Sequence, residues 1–123
     1  MRKIAVVEDN ADNRMLVQAL LCDRYEVAEY ETGREAIEGF NNERPDLILL
    51  DISLPEMNGS EVLAHLRADP ELRSIPVIAL TAHAMTGDRE AFLGQGFDGY
   101  VSKPIVDEKA LFESIEALLG TTP

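Results

Sequence analysis

Short apolar runs that each end on a polar residue are the clearest pattern in this chain. Residues 4–7, 47–50 and 77–80 are rich in valine, isoleucine, leucine and alanine, and a fourth, less apolar run occupies 99–102. Continuous apolar runs of this length are typical of strands buried on both faces of a parallel sheet. A further strand is predicted at 25–30, where apolar and charged residues alternate as they do at a sheet edge.

Segments with helical spacing separate these strands. Thr32 with Glu35 predicts a capping box for the second helix, and Asn58 predicts the cap of the third. In the first helix, predicted at 12–22, an apolar face formed by Met15, Leu16, Ala19 and Leu20 is expected to pack inward. Further helices are predicted at 86–93 and from about 107 to 120. This repeated alternation predicts an α/β fold, a doubly wound parallel sheet of five strands with five helices covering both sides.

Length and composition favour one cytoplasmic domain. The chain has 123 residues, is 46% hydrophobic and contains one cysteine, so we expect a single domain over 1–120 with a frayed end at 121–123. A net charge of -12 argues against nucleic acid or an anionic membrane surface as a partner. No apolar stretch is long enough to span a bilayer, so a soluble cytoplasmic protein is predicted.

The polar residues that follow the strands suggest chemistry. Glu8 and Asp9 follow the first strand, Asp51 the third, Thr81 the fourth and Lys103 the fifth. Because ligands bind outside the carboxyl ends of parallel strands, these side chains are expected to converge at one edge. Clustered carboxylates repel, and oxygen ligands of this kind suit Mg²⁺.

These groups match the requirements of phosphoryl transfer. Asp51 is the best candidate for a nucleophile, because its strand is expected to be central and its carboxylate can form an acyl phosphate. Mg²⁺ and Lys103 would neutralise the phosphoryl oxygens, and Thr81 could donate a hydrogen bond to one of them.

Four motifs resemble the receiver domain of two-component response regulators, over essentially the full length of the chain. They are residues 7–10 (VEDN), 49–59 (LLDISLPEMNG), 78–82 (IALTA) and 100–104 (YVSKP). The resemblance is to the single-domain, chemotaxis-regulator-like type. It implies a flavodoxin-like sheet with strand order 2-1-3-4-5, phosphorylated by a histidine kinase or histidine phosphotransfer protein and read by a downstream protein at the helix 4–strand 5–helix 5 face.

The resemblance also implies roles for individual residues. Asp51 is implied as the phosphoacceptor, and Mg²⁺ as the cofactor. Asp9 is implied as a direct ligand of that ion, Glu8 as a ligand largely through water, and Ser53 as a ligand through its backbone carbonyl.

A second group is implied to respond to phosphorylation. Thr81 is implied as the switch hydroxyl, Tyr100 as the aromatic side chain that moves with it, and Lys103 as the cation paired with the phosphoryl group. Pro104 is implied to follow a cis peptide. The only chemistry expected is the domain's own phosphoryl transfer and dephosphorylation, so it is not expected to be an enzyme in any further sense.

Other readings stay open at this stage. A haloacid-dehalogenase-type phosphatase also forms an aspartyl phosphate with Mg²⁺, but it would need a second carboxylate where this chain has Ser53. A flavodoxin-like binding module could act without phosphorylation. Glu8 and Asp9 could instead cap the first helix, and Tyr100 could merely pack.

Four residues outside the site carry expectations of their own. Cys22 is expected in the core, and His65 on an exposed helix face. Met15 and Met57 are expected to serve packing.

Overall fold

The computed structural model describes residues 2–54, 57–81, 88–102 and 108–119. Along them, strands and helices alternate strictly. The elements are β1 (Lys3–Val7), α1 (Ala11–Leu21), β2 (Glu26–Tyr30), α2 (Gly33–Asn42), β3 (Leu47–Asp51), α3 (Gly59–Ala68), β4 (Val77–Thr81), α4 (Asp88–Gln95), β5 (Gly99–Ser102) and α5 (Glu108–Leu119). The predicted alternation is confirmed, with most boundaries shifted by one or two residues.

The five strands form one parallel sheet in the order β2-β1-β3-β4-β5. This order makes β2 an edge strand, as its alternating pattern predicted, and places β3 at the centre. Val7 lies opposite Leu50, and Asp51 lies opposite Leu80. The register therefore brings the ends of β1, β3 and β4 to the same edge, which confirms the flavodoxin-like α/β fold.

Two apolar layers cover the sheet. On one face, the even-numbered residues of β3 pack with Ala36 and Phe40 of α2 and with Val62 and Leu66 of α3. On the other face, Leu47 and Leu49 of β3 pack with side chains of α1 and α5. All of β3 is buried. A central strand covered on both sides explains why its apolar run is continuous.

Polar caps define where three helices begin. The side chain of Asn10 accepts a hydrogen bond from the backbone N of Asn13 and caps α1, so the reading of Glu8 and Asp9 as the cap is wrong. Thr32 caps α2 as predicted, but only half of the expected capping box forms, because the Glu35 carboxylate accepts from the backbone N of Glu31. The full reciprocal box occurs at the start of α3.

The inward face of α1 differs from the prediction. Val17 and Leu21 are its buried residues, whereas Met15 is 66% exposed and Leu16 is 39% exposed. The helix is rotated by about one residue from the expected phase, because positions 17 and 21 meet the layer beneath the sheet. The prediction that Met15 serves packing is therefore wrong.

Cys22 is exposed rather than buried. It is the C-cap residue of α1, where its Sγ lies 3.7 Å from the carbonyl oxygen of Ala19. Position 22 falls on the same face of the helix as Met15, Gln18 and Ala19, and that face is exposed. His65 is exposed, as expected, and Met57 packs against the core.

Among the described helices, none combines the length and the apolar character needed to cross a membrane. The predicted domain end at Gly120 and the frayed residues 121–123 lie outside the described residues.

Candidate functional site

Glu8 and Asp9 are placed by the end of β1. The backbone N of Glu8 donates to the carbonyl oxygen of Tyr30, which continues the pairing with β2 for one residue beyond the strand. Glu8 is buried, with 1% of its surface exposed, whereas Asp9 is exposed. The Glu8 carboxylate accepts hydrogen bonds from the backbone N of Asn10 and from the side chain of Asn13, both at 3.3 Å.

Asp51 ends the central strand and is 1% exposed. Its Oδ1 accepts a hydrogen bond of 2.9 Å from the backbone N of Ser53, and this bond restrains the orientation of the carboxylate. The first residue of α3, Gly59, lies close to the backbone at the end of β3. A Cβ at Gly59 would lie 2.6 Å from Cα of Ile52 and 2.9 Å from the carbonyl oxygen of Asp51. Glycine is needed here for the close approach of two backbones.

The three acids form one cluster. Each of Glu8, Asp9 and Asp51 offers a carboxylate oxygen, and these oxygens all lie within 4.8 Å of one another. Two carboxylates about 4 Å apart repel by about 4 kcal/mol at an effective dielectric constant of about 20. A bound cation therefore stabilises this cluster, in which Glu8 and Asp51 are buried and Asp9 is exposed.

The donor set fits a hard cation. The cluster offers oxygen ligands alone, the ligand type that Mg²⁺ prefers. Opposite ligands of an octahedral Mg²⁺ lie about 4.2 Å apart, since each bond is about 2.1 Å. The three oxygens all lie within 4.8 Å of one another, so the cluster has the dimensions of a single coordination sphere of this kind.

Thr81 and Tyr100 lie on neighbouring strands. Thr81 is the last residue of β4 and is fully buried, and it pairs in register with Ser102 of β5. Tyr100 pairs with Ala79 and packs against the same apolar layer as that residue. Because side chains alternate along a strand, Thr81 falls on the same face of the sheet as Ala79 and Tyr100.

Of the remaining predicted site residues, Ser53 is among the described residues and Lys103 and Pro104 are not. Ser53 lies beside Asp51 and is exposed, and its backbone N contacts the Asp51 carboxylate. Lys103 and Pro104 lie outside the described residues, so their predicted roles stay predictions.

Two polar residues at this edge were missed by the sequence analysis. Asn13 contacts the Glu8 carboxylate, and Arg14 donates from Nη1 to the carbonyl oxygens of Glu8 and Asp9, at 2.9 and 3.2 Å. Both lie on the inward face of α1, three or four residues before Val17. A helix face formed by positions 13, 14, 17, 20 and 21 would have included both residues. The apolar pair at 15 and 16 instead favoured a different face as the inward one.

Tyr30, at the same end of the edge strand β2, has a shifted pKa. Burial raises the pKa of its phenol above the ordinary value. Its ring meets the ring of Phe40 edge to face, with 5.4 Å between centroids, and this packing accounts for the loss of solvent.

Comparison with known proteins places this geometry in a family. The family model of the response regulator receiver domain matches residues 4–116. The polar-differentiation response regulator DivK of Brucella anthropi is 44% identical over 120 residues, which are 97% of this chain and 97% of that protein.

Solved structures of receiver domains and response regulators have a similar fold. The receiver domain of the sensor histidine kinase PA1611 from Pseudomonas aeruginosa is 34% identical, with a TM-score of 0.86 and 98% of each chain covered, and its structure has a magnesium ion coordinated in the active site cleft. The chemotaxis protein CheY4 of Vibrio cholerae is 28% identical, with a TM-score of 0.87, covering 97% of this chain and 99% of that one.

These similarities favour neither the haloacid-dehalogenase-type phosphatase nor the phosphorylation-independent binding module. The matched family covers all five strands and the acidic cluster at their ends. The chain therefore belongs to the response regulator receiver domain family and is a signalling switch of the two-component type.

Proposed function

We propose that this chain is switched by reversible phosphorylation of Asp51 in the presence of Mg²⁺. The observation that carries the proposal is the cluster of Glu8, Asp9 and Asp51 at the carboxyl edge of the sheet. Three acids held this close repel one another, a bound cation offsets that repulsion, and an aspartate beside a bound cation is suited to accept a phosphoryl group.

Asp51 is the proposed phosphoacceptor. A carboxylate oxygen would form a bond to phosphorus while the bond between phosphorus and the nitrogen of the donor histidine breaks, and the donor imidazole would leave with that electron pair. The hydrogen bond from the backbone N of Ser53 to Oδ1 supports this role, because it limits rotation of the carboxylate before attack.

The proposed ligands of Mg²⁺ are Asp9 and Asp51 directly, Glu8 largely through water, and the backbone carbonyl of Ser53. When bound, the ion supplies positive charge that offsets the charge of the phosphoryl oxygens. The exposure of Asp9 supports a role at the mouth of the site, and the burial of Glu8 and Asp51 supports a role at its base.

Thr81, Tyr100 and Lys103 are the proposed switch residues. Thr81 would donate its hydroxyl to a phosphoryl oxygen, Lys103 would pair with another, and Tyr100 would follow Thr81. The placement of Thr81 and Tyr100 on one sheet face supports the coupling between them. Phosphorylation would then shift a pre-existing equilibrium between two conformations.

Receiver domains interact with histidine kinases or histidine phosphotransfer proteins, and we infer that such a protein supplies the phosphoryl group. The face formed by α4, β5 and α5 is the proposed surface for the downstream partner. Leu93 of α4 is 40% exposed, which supports an apolar contact there.

No catalytic activity beyond the domain's own phosphoryl transfer and dephosphorylation is proposed, and the cytoplasmic location stays a prediction.

Phosphorylation by a small donor tests the proposal. The chain is incubated with acetyl phosphate and Mg²⁺, and its intact mass is measured for the wild type, Asp51→Asn and Asp12→Asn. Asp12 is an exposed acid in the first turn of α1 and serves as the matched control. We expect one labile phosphoryl adduct on the wild type and on Asp12→Asn, and none on Asp51→Asn. Equal labelling of all three proteins would overturn the assignment of Asp51.

Trapping with beryllofluoride tests the switch. In the wild type, we expect Mg²⁺-dependent changes of amide NMR shifts to extend from Asp51 to β5 and α4. Lys103→Ala should still bind Mg²⁺ but should lose the change at Tyr100. An undisturbed response at Tyr100 in that variant, or changes concentrated on α2, would contradict the proposed switch and output face.

A further inference from the structure

Arg14 connects α1 to the segment that carries the acidic pair. Its Nη1 donates to the carbonyl oxygens of both Glu8 and Asp9, at 2.9 and 3.2 Å. Its Nη2 donates to the carboxylate of Glu31 at 3.2 Å, and its Nε lies 3.9 Å from the carboxylate of Glu29. One guanidinium thus joins three segments: the start of α1, the end of β1 and the end of β2.

The position of Arg14 is unusual for a charged residue, because it lies on the inward face of α1. Only 14% of the side chain is exposed. A charge this far from water is retained where it makes several hydrogen bonds in a fixed geometry. The planar guanidinium suits such a site, whereas an ammonium group could not reach the same set of partners.

Arg67 makes a comparable set of bonds at the opposite edge of the sheet. Its Nη1 donates to the carbonyl oxygens of Arg73 and Ile75, and its Nη2 donates to the carbonyl oxygen of Gly96 and to the carboxylate of Asp98, all at 2.8–2.9 Å. Arg67 therefore also holds loops together through backbone carbonyls, but far from the acidic cluster. It is a matched control for the loss of such bonds.

We propose that Arg14 is a positioning residue for the cation site, because it holds the backbone that carries the Glu8 and Asp9 carboxylates in the conformation that binds Mg²⁺. This inference rests on the proposed function, since it concerns the same site. Arg14 acts through the backbone of the acidic pair.

The direction in which Mg²⁺ affinity changes on removal of Arg14 distinguishes positioning of the backbone from a simple effect of charge. Arg14 is a cation near a cation site, so if it acted only through its charge, its removal would strengthen Mg²⁺ binding. If it acts by holding the backbone, its removal weakens binding, because the freed segment must be ordered again each time the ion binds. Residues that orient metal ligands typically change metal affinity by about 10- to 100-fold.

Titration with Mg²⁺ alone, followed by amide NMR shifts, tests the proposal on the wild type, Arg14→Gln, Arg14→Lys and Arg67→Gln. We expect the Kd for Mg²⁺ to rise about tenfold in Arg14→Gln, at the lower end of the range for such residues. Arg14→Lys keeps the charge but lacks the planar guanidinium that reaches several acceptors at once, so its Kd for Mg²⁺ should also rise. Arg67→Gln should leave the Kd unchanged even though its thermal midpoint falls.

Several results would overturn the inference. An unchanged or lower Kd in Arg14→Gln, a wild-type Kd in Arg14→Lys, or an equal rise in Arg67→Gln would each do so. If Arg14→Gln does not fold, Arg14→Lys carries the test. In the metal-free protein, the carbonyl ¹³C shifts of Glu8 and Asp9 should also move in both Arg14 variants, and unchanged shifts would contradict the proposed contact.

Asp9→Asn separates this inference from the proposed function. We expect it to weaken Mg²⁺ binding strongly, because it removes a proposed ligand. If the wild type binds no Mg²⁺, the proposed function and this inference both fail. If the wild type binds Mg²⁺ and Asp9→Asn loses it while the Arg14 variants bind as the wild type does, the inference alone fails.

Discussion

The two edges of the sheet handle acidic side chains in different ways. At the amino edge, Asp98 accepts hydrogen bonds from the backbone N of Val77 and from Arg67, and Asp46 accepts one from the backbone N of Lys3. At the carboxyl edge, three acids are gathered within 4.8 Å of one another. The acids at both edges accept hydrogen bonds, but the amino edge places them beside donors such as the guanidinium of Arg67, whereas the carboxyl edge also brings three like charges together. The first arrangement stabilises the fold, and the second prepares a site for a cation.

The same contrast applies to the two arginines. Arg67 joins a carboxylate and carbonyl oxygens at the amino edge, where its bonds connect α3, the start of β4 and the α4–β5 turn. Arg14 joins carbonyl oxygens of the acidic pair to Glu31. Similar bonds therefore serve stability at one edge and the geometry of the site at the other.

The largest expected effect comes from crowding the carboxyl edge with Gly59→Ala. The added Cβ would meet the backbone of Ile52 and Asp51, which cannot move aside as a flexible side chain could. We expect the free energy of unfolding to fall by about 2–3 kcal/mol, as for other overpacked sites. Urea denaturation measures the change. Gly94→Ala is the matched control, because a Cβ there meets nothing within 4 Å.

For Gly94→Ala, we expect a gain of about 0.5–1 kcal/mol, because alanine favours a helix more than glycine does. Equal losses in the two variants would show that the close approach at Gly59 is not the cause. A loss in Gly59→Ala should also weaken Mg²⁺ binding, since the same backbone carries Asp51.

Removal of the acid at the amino edge has the next largest effect. Asp98→Asn loses the ion pair with Arg67 and weakens the acceptor of Val77 N. We expect the free energy of unfolding to fall by about 1–2 kcal/mol, the lower part of the range for charge-assisted bonds, because the pair is partly exposed. Phosphorylation by acetyl phosphate should be unaffected. A stabilised Asp98→Asn protein would refute the contrast between the edges.

Asp51→Asn should have the opposite sign. An amide removes one of three repelling charges but keeps an acceptor for the backbone N of Ser53. Without Mg²⁺ and at low ionic strength, we expect a gain of about 1 kcal/mol. Added Mg²⁺ should stabilise the wild type more than the variant, since it binds the folded cluster of three acids. The thermal midpoint measures both effects, and a destabilised variant without Mg²⁺ would count against repulsion at this edge.

The smallest expected effect is a loss of stability in alkali that involves both ends of β2. Burial raises the pKa of Tyr30 at its carboxyl end, and burial followed by the charge of Glu116 raises that of Tyr25 just before the strand. The folded state therefore keeps the protonated phenol more firmly than the unfolded state does. This contribution is complete below the ordinary pKa of 10.0 and is lost as the pH rises through the folded-state values.

Denaturation in urea between pH 8 and 11 should show this decline in the wild type. The double variant Tyr25→Phe/Tyr30→Phe should show a shallower one, because phenylalanine carries no proton to lose. Identical slopes in the two proteins would exclude the tyrosines as the cause.

Local patterns in the sequence predicted the alternation of strands and helices and the acidic cluster at the sheet edge. The apolar runs predicted β1, β3 and β4, since a strand buried on both faces admits few polar residues. Polar residues at the strand ends predicted the cluster of Glu8, Asp9 and Asp51, because parallel strands end at a common edge. The strand order was implied by the resemblance to receiver domains and is confirmed.

Packing between distant segments decided the rest. The sequence of α1 carries apolar residues around much of its circumference, so its own periodicity could not select Val17 and Leu21 as the buried pair. Packing against the apolar layer beneath the sheet buries Val17 and Leu21, and this orientation of the helix exposes Met15 and places Arg14 on the inward face. The contacts of Arg14 with Glu31, and of Arg67 with Asp98, join residues 17 and 31 positions apart. Such contacts depend on how helices dock against strands, which no local pattern in a single sequence specifies.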